Sequence, residues 1–334
     1  MQPSRHFYLV IVGALTMFIV EHVILPFFSP HRVGTTEFMR SEAYQRFMHT
    51  PVRPSLGKTK VYSFNGSHMQ QLHDFCTWTV HVDCVPLNTP RGLTPIHIHD
   101  VAVDKWVSKK IKHNGVWESN NIKLVLSELQ KDPDLGFMDL GSHVGAYSLS
   151  VAVFGRKVVS VDPLIENVQR LCKSIQKGGF TDRMTIIFNP LGANHSLVNF
   201  KRIPDNLGGT SVVASSTSSL TSPCGEPSDS YTITLDDILP YLPFKKAVLK
   251  MDIQEFEYYV LRGAGRFFKE IEVPAILMEW VLMKTDINGE NLVELLSSWK
   301  YSAYEPIIGG KKLDPTHFRS WPYDVLWKKA KLDQ

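Results

Sequence analysis

The chain lacks an excess of either charge, with 36 Lys and Arg against 33 Asp and Glu, a formal +3. That balance argues against nucleic acid as the main partner. Internal repeats and heptads are also missing, which removes solenoids and coiled coils. No G-x-G-x-x-G occurs, and with it goes the fingerprint by which nicotinamide and flavin dinucleotides seat a pyrophosphate. Cysteine is scarce, four in 334 residues. Cys76 and Cys84 are near enough in sequence to close a small loop, and all four could equally be buried thiols. What remains is globular composition, 43% hydrophobic and 21% charged, with length for one large α/β domain and accessories or for two small domains.

The organising stretch runs from Phe137 through Asp139, Gly141, Ser142, His143 and Gly145 to Tyr147, followed by Lys157 to Pro163. It reads as a buried strand, a glycine turn, a helix of small apolar residues and a second strand ending at Asp162, half of a nucleotide-binding α/β unit. Glycines 141 and 145 would let the backbone approach a ligand. Asp162 lies where such units place the carboxylate that accepts ribose hydroxyls. Asp139 would repel a pyrophosphate and welcome an ammonium, so the spacing points to S-adenosylmethionine, which carries an amino-acid tail and no phosphate. Read without a ligand, the same residues make an ordinary strand, turn and helix.

Taken from the start, residues 1–29 hold an apolar run from Phe7 to Phe28 long enough to cross a bilayer, read as a retained signal anchor; a cleaved signal peptide is the competing reading. Residues 30–60 are a stem or linker, 61–103 an accessory segment and 104–330 the catalytic domain. Asn65-Gly66-Ser67 and Asn194-His195-Ser196 are N-glycan acceptor sequons, which with the anchor point to the secretory lumen, in the Golgi or another compartment of that pathway. His97, His99 and Asp100 resemble a metal cluster, but no further ligands follow at a recognisable spacing, and no metal is expected. Ser108 to Gln130 places Ile122, Val125, Leu126 and Leu129 on one helical stripe.

After the glycine turn the pattern predicts a helix over Leu164–Lys177 and a strand over Met184–Phe188 that brings Asn189 to the same sheet edge, a plausible adenine contact. Asp205–Ser230, rich in Gly, Ser and Thr, is expected to be a surface loop, a possible substrate lid. Further expected elements are a short helix from Thr234, a strand over Ala247–Met251 ending at Asp252, a helix from Phe256 to Phe268, a strand over Ala275–Met278, a helix over Glu290–Trp299 and a last strand over Asp324–Trp327.

In the right order, the segments Gly115–Glu118, Phe137–Tyr147, Val161–Pro163, Asn206–Ser211, Thr234–Leu239, Lys250–Asp252, Glu257–Ala264, Ile276–Glu279 and Asp324–Trp327 resemble the FkbM family of S-adenosylmethionine-dependent O-methyltransferases, here of a membrane-anchored animal type. The likeness covers roughly Asp104 to Lys328. It implies a Rossmann-like class I methyltransferase fold, a seven-stranded, mostly parallel sheet with one antiparallel strand. It implies that Asp139, Gly141, Gly145 and Asp162 hold the cofactor, with Ser142 and His143 replacing the family's Ala-Asn, and that Asp252 and Glu257 sit over the transferred methyl. The family's Asp-x-Glu-Gly is Asp252-Ile253-Gln254-Glu255 here. Asp252, then Glu257, is the expected base for an acceptor hydroxyl, with capping of the next helix as the plainer role of Asp252. The expected acceptor is a glycan or glycosylated molecule. The alternatives are a luminal binding protein that keeps the fold without turnover, and a glycosyltransferase, for which Asp132-Pro133-Asp134 is the sole Asp-x-Asp.

Overall fold

The computed structural model describes residues 58–78, 81–214 and 230–330. The anchor and nearly all of the stem lie outside the described residues, among which no helix is long and apolar enough to cross a membrane.

Strands β1 (Lys60–Phe64), β2 (Met69–Gln71), β3 (Cys84–Thr89) and β4 (Gly92–His97) come first, then helices α1 (Val107–Asn114) and α2 (Ser119–Leu129). The α/β alternation follows as β5 (Gly136–Leu140), α3 (Ala146–Val153), β6 (Val158–Val161), α4 (Ile165–Gly178) and β7 (Met184–Ile187). Three strands, β8 (Leu197–Ile203), β9 (Asn206–Ala214) and β10 (Ser230–Tyr231), make a separate small sheet. The remainder is α5 (Leu235–Ile238), β11 (Lys246–Met251), α6 (Glu257–Arg262), α7 (Phe267–Glu270), β12 (Glu272–Glu279), α8 (Asn288–Ser298), β13 (Tyr301–Tyr304) and β14 (Asp324–Lys329).

The main sheet has nine strands in the order β13-β14-β12-β11-β5-β6-β7-β1-β2. Seven of them, β5 to β7 and β11 to β14, form the expected core, with β14 antiparallel to both its neighbours and the rest parallel. The two additions come from the accessory segment: β1 joins β7 in parallel and β2 turns back against β1. Strand order reverses between β5 and β11, the switch point at which open α/β sheets open a crevice.

Alternation within the strands builds two cores. Met138 and Leu140 of β5 face a layer that includes Val260, Leu261 and Phe267 of α6 and α7 and Leu292 and Leu296 of α8. Phe137 faces the opposite layer, with Leu149 of α3, the stripe Val168, Leu171, Cys172 and Ile175 of α4, and Leu87 and Ile96 of the β3–β4 hairpin. Because both faces are covered, these strands read as continuous apolar runs.

Three expectations are corrected. The helix expected from Phe256 to Phe268 is two short helices: a Cβ on Gly263 would stand 2.6 Å from the backbone of Ala193, so the chain there passes too close for a regular turn bearing side chains. The expected loop Asp205–Ser230 begins as strand β9, paired antiparallel with β8; residues 215–229 lie outside the described set. The disulfide joins Cys76 to Cys172 instead of Cys84, because α4 brings Cys172 beside the turn that follows β2, while Cys84 is drawn into the hairpin opposite His97.

That bond closes a loop of 96 residues in sequence separation. Replacing Cys172 by Ser is expected to lower stability by about 2–4 kcal/mol, mostly by freeing the unfolded chain, as measured by urea denaturation of the oxidised wild type and the variant side by side.

Candidate functional site

A cavity opens at the carboxyl ends of β5, β6, β7 and β11. Its wall carries Gly141, Ser142 and His143 from the glycine turn, Asp162 after β6, Asn189 after β7, Lys250 and Asp252 from the end of β11, and Trp117, Leu207, Thr210 and Val212.

The glycine turn is shaped first by the protein's own packing. Gly141 has φ 83°, and a Cβ there would lie 1.8 Å from the carbonyl oxygen of Asp252. A Cβ on Gly145 would meet Leu171 Cδ1 at 2.4 Å, so this glycine lets α4 close on the start of α3 and does not line the cavity. Asp139 does not line it either. It points with Phe137 to the α3 side of the sheet, where Oδ2 accepts bonds from the backbone N (3.1 Å) and Oγ (2.6 Å) of Ser148 and so caps the first turn of α3. The Ser148 hydroxyl meets that of Ser160 at 2.7 Å, pinning β5, α3 and β6 together. Burial raises the Asp139 carboxyl while nearby Lys250 opposes the rise, and its Oδ1 is buried without a hydrogen-bond partner.

Asp162 is on the wall. Its Oδ2 accepts from His143 N (2.8 Å) and its Oδ1 from Leu164 N (2.9 Å) and Asn167 Nδ2 (3.0 Å). Burial lifts its pKa to about 7 in spite of these bonds. Oδ1 is thereby filled, and Oδ2 keeps acceptor capacity for one hydroxyl donor. Asn189 is spent differently from expectation: its Nδ2 donates to the carbonyls of Phe64 (3.1 Å) and Tyr231 (3.0 Å) and its Oδ1 accepts from Phe64 N (2.7 Å), tying β1 and β10 to the end of β7. Only one Oδ1 lone pair is left for a ligand.

His143 takes φ 49°, and neither ring nitrogen has a hydrogen-bond partner. The ring stacks at 5.4 Å on His99, and Nε2 lies 3.9 Å from Asp104 Oδ2. Burial lowers its pKa against the pull of Asp104, so the imidazole is neutral. His97 and His99 are satisfied core histidines, bonded to Ser174 Oγ at 3.3 Å and to Asn167 Oδ1 at 2.7 Å and held by burial at about 4 and about 3. Among the described residues no group of three or more His, Cys, Asp or Glu could hold a metal ion. Asp132 and Asp134 precede β5, at the opposite sheet edge, where Asp132 pairs with Lys246 at 2.9 Å.

The other end of the cavity is acidic around one lysine. Lys250 Nζ donates to Asp252 Oδ2 (3.0 Å) and to the Gly141 carbonyl (3.2 Å) and lies 5.3 Å from the Tyr147 ring. Burial would raise the Asp252 carboxyl, but Lys250 and bonds from Lys250, Gln254 and Glu279 hold it below the ordinary carboxylate range. Gln254 Nε2 bridges Asp252 Oδ1 (2.8 Å) and Glu279 Oε2 (3.1 Å), and Tyr323 donates to Glu279 Oε1 at 2.8 Å. Glu279 is pushed far up by burial and the charge of Asp252, Asp324 is pushed to about 8 by burial and Glu118, and Glu118 is raised by burial while bonded to Tyr147 OH at 2.5 Å. Near neutrality Lys250 and Asp252 therefore carry charge, and Glu279 and Asp324 are protonated. Glu257, expected beside Asp252 over the methyl, is buried off the cavity wall. It folds back so that Oε1 accepts from Ile253 N at 3.0 Å, and burial brings it to about 7.

Sequence reasoning gave no site role to Lys250 or Trp117, and it placed the β9 segment in a possible substrate lid. Lys250 had a signal, a lone charge inside the apolar strand Ala247–Met251, which a buried strand tolerates only with partners. As a strand β9 was hidden, since its composition reads as a surface loop.

Residues 139–301 match the sequence model of the "Methyltransferase FkbM domain". No curated protein matches the chain in sequence. Three solved structures illustrate the structural likenesses. A precorrin-6y C5,15-methyltransferase from Geobacter metallireducens GS-15 shares 12% identity over 64% of this chain and 88% of its own, with a TM-score of 0.34. A SAM-dependent methyltransferase from Agrobacterium tumefaciens shares 9% over 81% and 76%, with a TM-score of 0.37. An O-methyltransferase from Bacillus cereus in complex with SAH shares 13% over 64% and 80%, with a TM-score of 0.35.

Two predictions arise from the site. An ionised Asp162 accepts ribose hydroxyls better than a protonated one, and its carboxyl sits at about 7 when the cavity is free. Affinity for S-adenosylhomocysteine should therefore rise about tenfold from pH 6 to pH 8 and flatten above, by calorimetric titration, whereas Asp162→Asn should bind more weakly with no such slope. Glu255 holds φ 72°, in the left-handed region that favours glycine. Glu255→Gly should stabilise the fold by about 0.5–1 kcal/mol in urea denaturation, since relief of a left-handed non-glycine residue outweighs the added entropy of the unfolded chain.

Proposed function

Since the chain carries a methyltransferase FkbM domain over residues 139–301, we propose that it transfers the methyl group of S-adenosylmethionine to a hydroxyl oxygen of a glycan or glycosylated acceptor in the secretory pathway. The observation that carries the reading is one cavity with Asp162 on the wall beside the glycine turn and the Asp252–Lys250 pair on the wall beside the acidic group. The residues suit the cofactor: Asp162 retains acceptor capacity for the ribose, and Ser142 Oγ and both His143 ring nitrogens, buried and unpartnered in the turn, are placed to meet polar atoms of a ligand.

Bound S-adenosylmethionine supplies an activated methyl group on a sulfonium. The protein's part is to place an acceptor oxygen in line and to take its proton. Asp252 is the group for this, as it is held ionised by Lys250 and aimed by Gln254. Its depressed pKa keeps it ionised and so able to accept the hydroxyl's hydrogen bond, which orients the oxygen in the ground state; as a weak base it draws off the proton only late, as the methyl bond forms. Lys250 balances the charge of Asp252, so that an uncharged hydroxyl enters a site of nearly zero net charge.

The luminal setting is supported by the Cys76–Cys172 disulfide, a bond of oxidising compartments, and by exposed sequon residues Asn65 and Asn194, the latter accepting a hydrogen bond from Ser196 Oγ at 2.9 Å. The apolar run from Phe7 to Phe28 would anchor the chain in the membrane. A second reading, cofactor binding without turnover, is favoured by Gln254, an uncharged amide where the family has an acid.

The test is transfer of labelled methyl from S-adenosylmethionine to a panel of neutral glycans. Wild type is expected to label a glycan, and Asp252→Asn to lower kcat by at least about 100-fold while keeping S-adenosylhomocysteine affinity within about threefold. A folded wild type that binds S-adenosylhomocysteine and labels nothing in the panel would leave the non-catalytic reading in its place.

A further inference from the structure

Four buried polar atoms on this cavity's wall have no hydrogen-bond partner: Ser142 Oγ, His143 Nδ1, His143 Nε2 and Thr210 Oγ1. Buried donors and acceptors are rarely left unpaired, because each costs about 1–3 kcal/mol when unmet. Three residues failing together on one wall mark a place where a ligand's polar group belongs. Two come from the glycine turn. Thr210 comes from β9, far along the chain.

Packing brings β9 to the His143 side of the cavity. The β8–β9 turn is fastened to the segment before α1 by Lys105, whose backbone N donates to the Asp205 carbonyl (3.0 Å) and whose Nζ pairs with Asp205 Oδ2 (2.7 Å). Just beyond, a Cβ on Gly208 would lie 3.7 Å from Val107 Cγ2. Val107 N in turn donates to Asp104 Oδ1 at 3.2 Å, and Asp104 Oδ2 is the oxygen 3.9 Å from His143 Nε2. Strand β9 therefore runs alongside the imidazole that follows Ser142.

We propose that Thr210 reaches the amino-acid tail of S-adenosylmethionine and, with Ser142 and His143, takes its α-carboxylate. The inference rests on the methyl-donor reading above. Two hydroxyls and a neutral imidazole can each donate a hydrogen bond, which suits an anionic oxygen pair, and no cation stands among them. The assignment makes the small β8–β9–β10 sheet part of the cofactor site.

The experiment compares two ligands, S-adenosylhomocysteine, which has the tail, and 5′-methylthioadenosine, which has the nucleoside and lacks the tail. Both are titrated calorimetrically into the wild type, Thr210→Val and Thr210→Ser, with thermal melting of each to confirm the fold. The isosteric Thr210→Val should weaken S-adenosylhomocysteine about tenfold, the worth of one hydrogen bond to a charged group, and leave 5′-methylthioadenosine within about twofold; Thr210→Ser should bind both like the wild type. Equal weakening of both ligands, or no change in either, overturns the assignment of Thr210 while leaving the methyl-donor reading intact. A folded wild type that binds neither ligand overturns that reading, and the assignment with it.

Discussion

The end of β5 lies against the end of β11 so tightly that Gly141 has no room for a side chain beside the carbonyl of Asp252. The contact is sealed by the bond from Asp252 N to the Leu140 carbonyl at 3.0 Å and by Lys250 Nζ reaching the Gly141 carbonyl. The glycine turn and the acid are thus one rigid body at the switch point of the sheet. The cofactor wall and the acceptor wall keep their spacing because a backbone contact sets it, which the Lys250 side chain then fastens. A methyl group at position 141 would have to displace the strand end that carries Asp252.

Around this contact the buried carboxylates divide their labour. Asp139 and Asp104 each hold the first turn of a helix, and Asp162 gathers three backbone and side-chain donors around the turn. Glu257 folds onto its own loop. All of these would be costly as free anions in a dry interior, and each is bonded, protonated, or both. Two of these carboxylates are held low and keep their charge, Asp104 at the start of α1 and Asp252 beside Lys250 at the acceptor end.

Much of this was legible in the sequence where periodicity and burial agree. Strands β5, β6, β7, β11 and β12 are covered on both faces and so announce themselves as apolar runs, and α4 shows its stripe. Strands without such coverage stayed hidden: β13 is four residues of Tyr, Ser and Ala, β8 carries Lys201 and Arg202 towards solvent, and β9 starts Asn-Leu-Gly-Gly. Asp162 and Asp252 were placed on the cavity because each directly follows a strand of the parallel set. Asp139 and Glu257 were misplaced for a local reason. A residue inside a strand points to one face, not off its end, and a glutamate opening a helix can bond back to the loop before it. The Cys76–Cys172 pair joins elements that only tertiary packing brings together, so adjacency in sequence favoured the wrong partner.

His143, Gln254 and Glu255 all occupy the left-handed region, with φ of 49°, 56° and 72°. Asparagine and histidine are among the few non-glycine residues found there with any frequency. At position 143, then, the histidine that the resemblance sets against an asparagine keeps the backbone path and alters only the side chain, whereas at position 255 the glutamate that it sets against a glycine keeps the path under strain. A pattern written in residue letters counts both as equal mismatches. Written in backbone torsions, the first is a synonym and the second a stress mark, and divergent relatives of this chain would be better sought by the shape of these two turns than by their spelling.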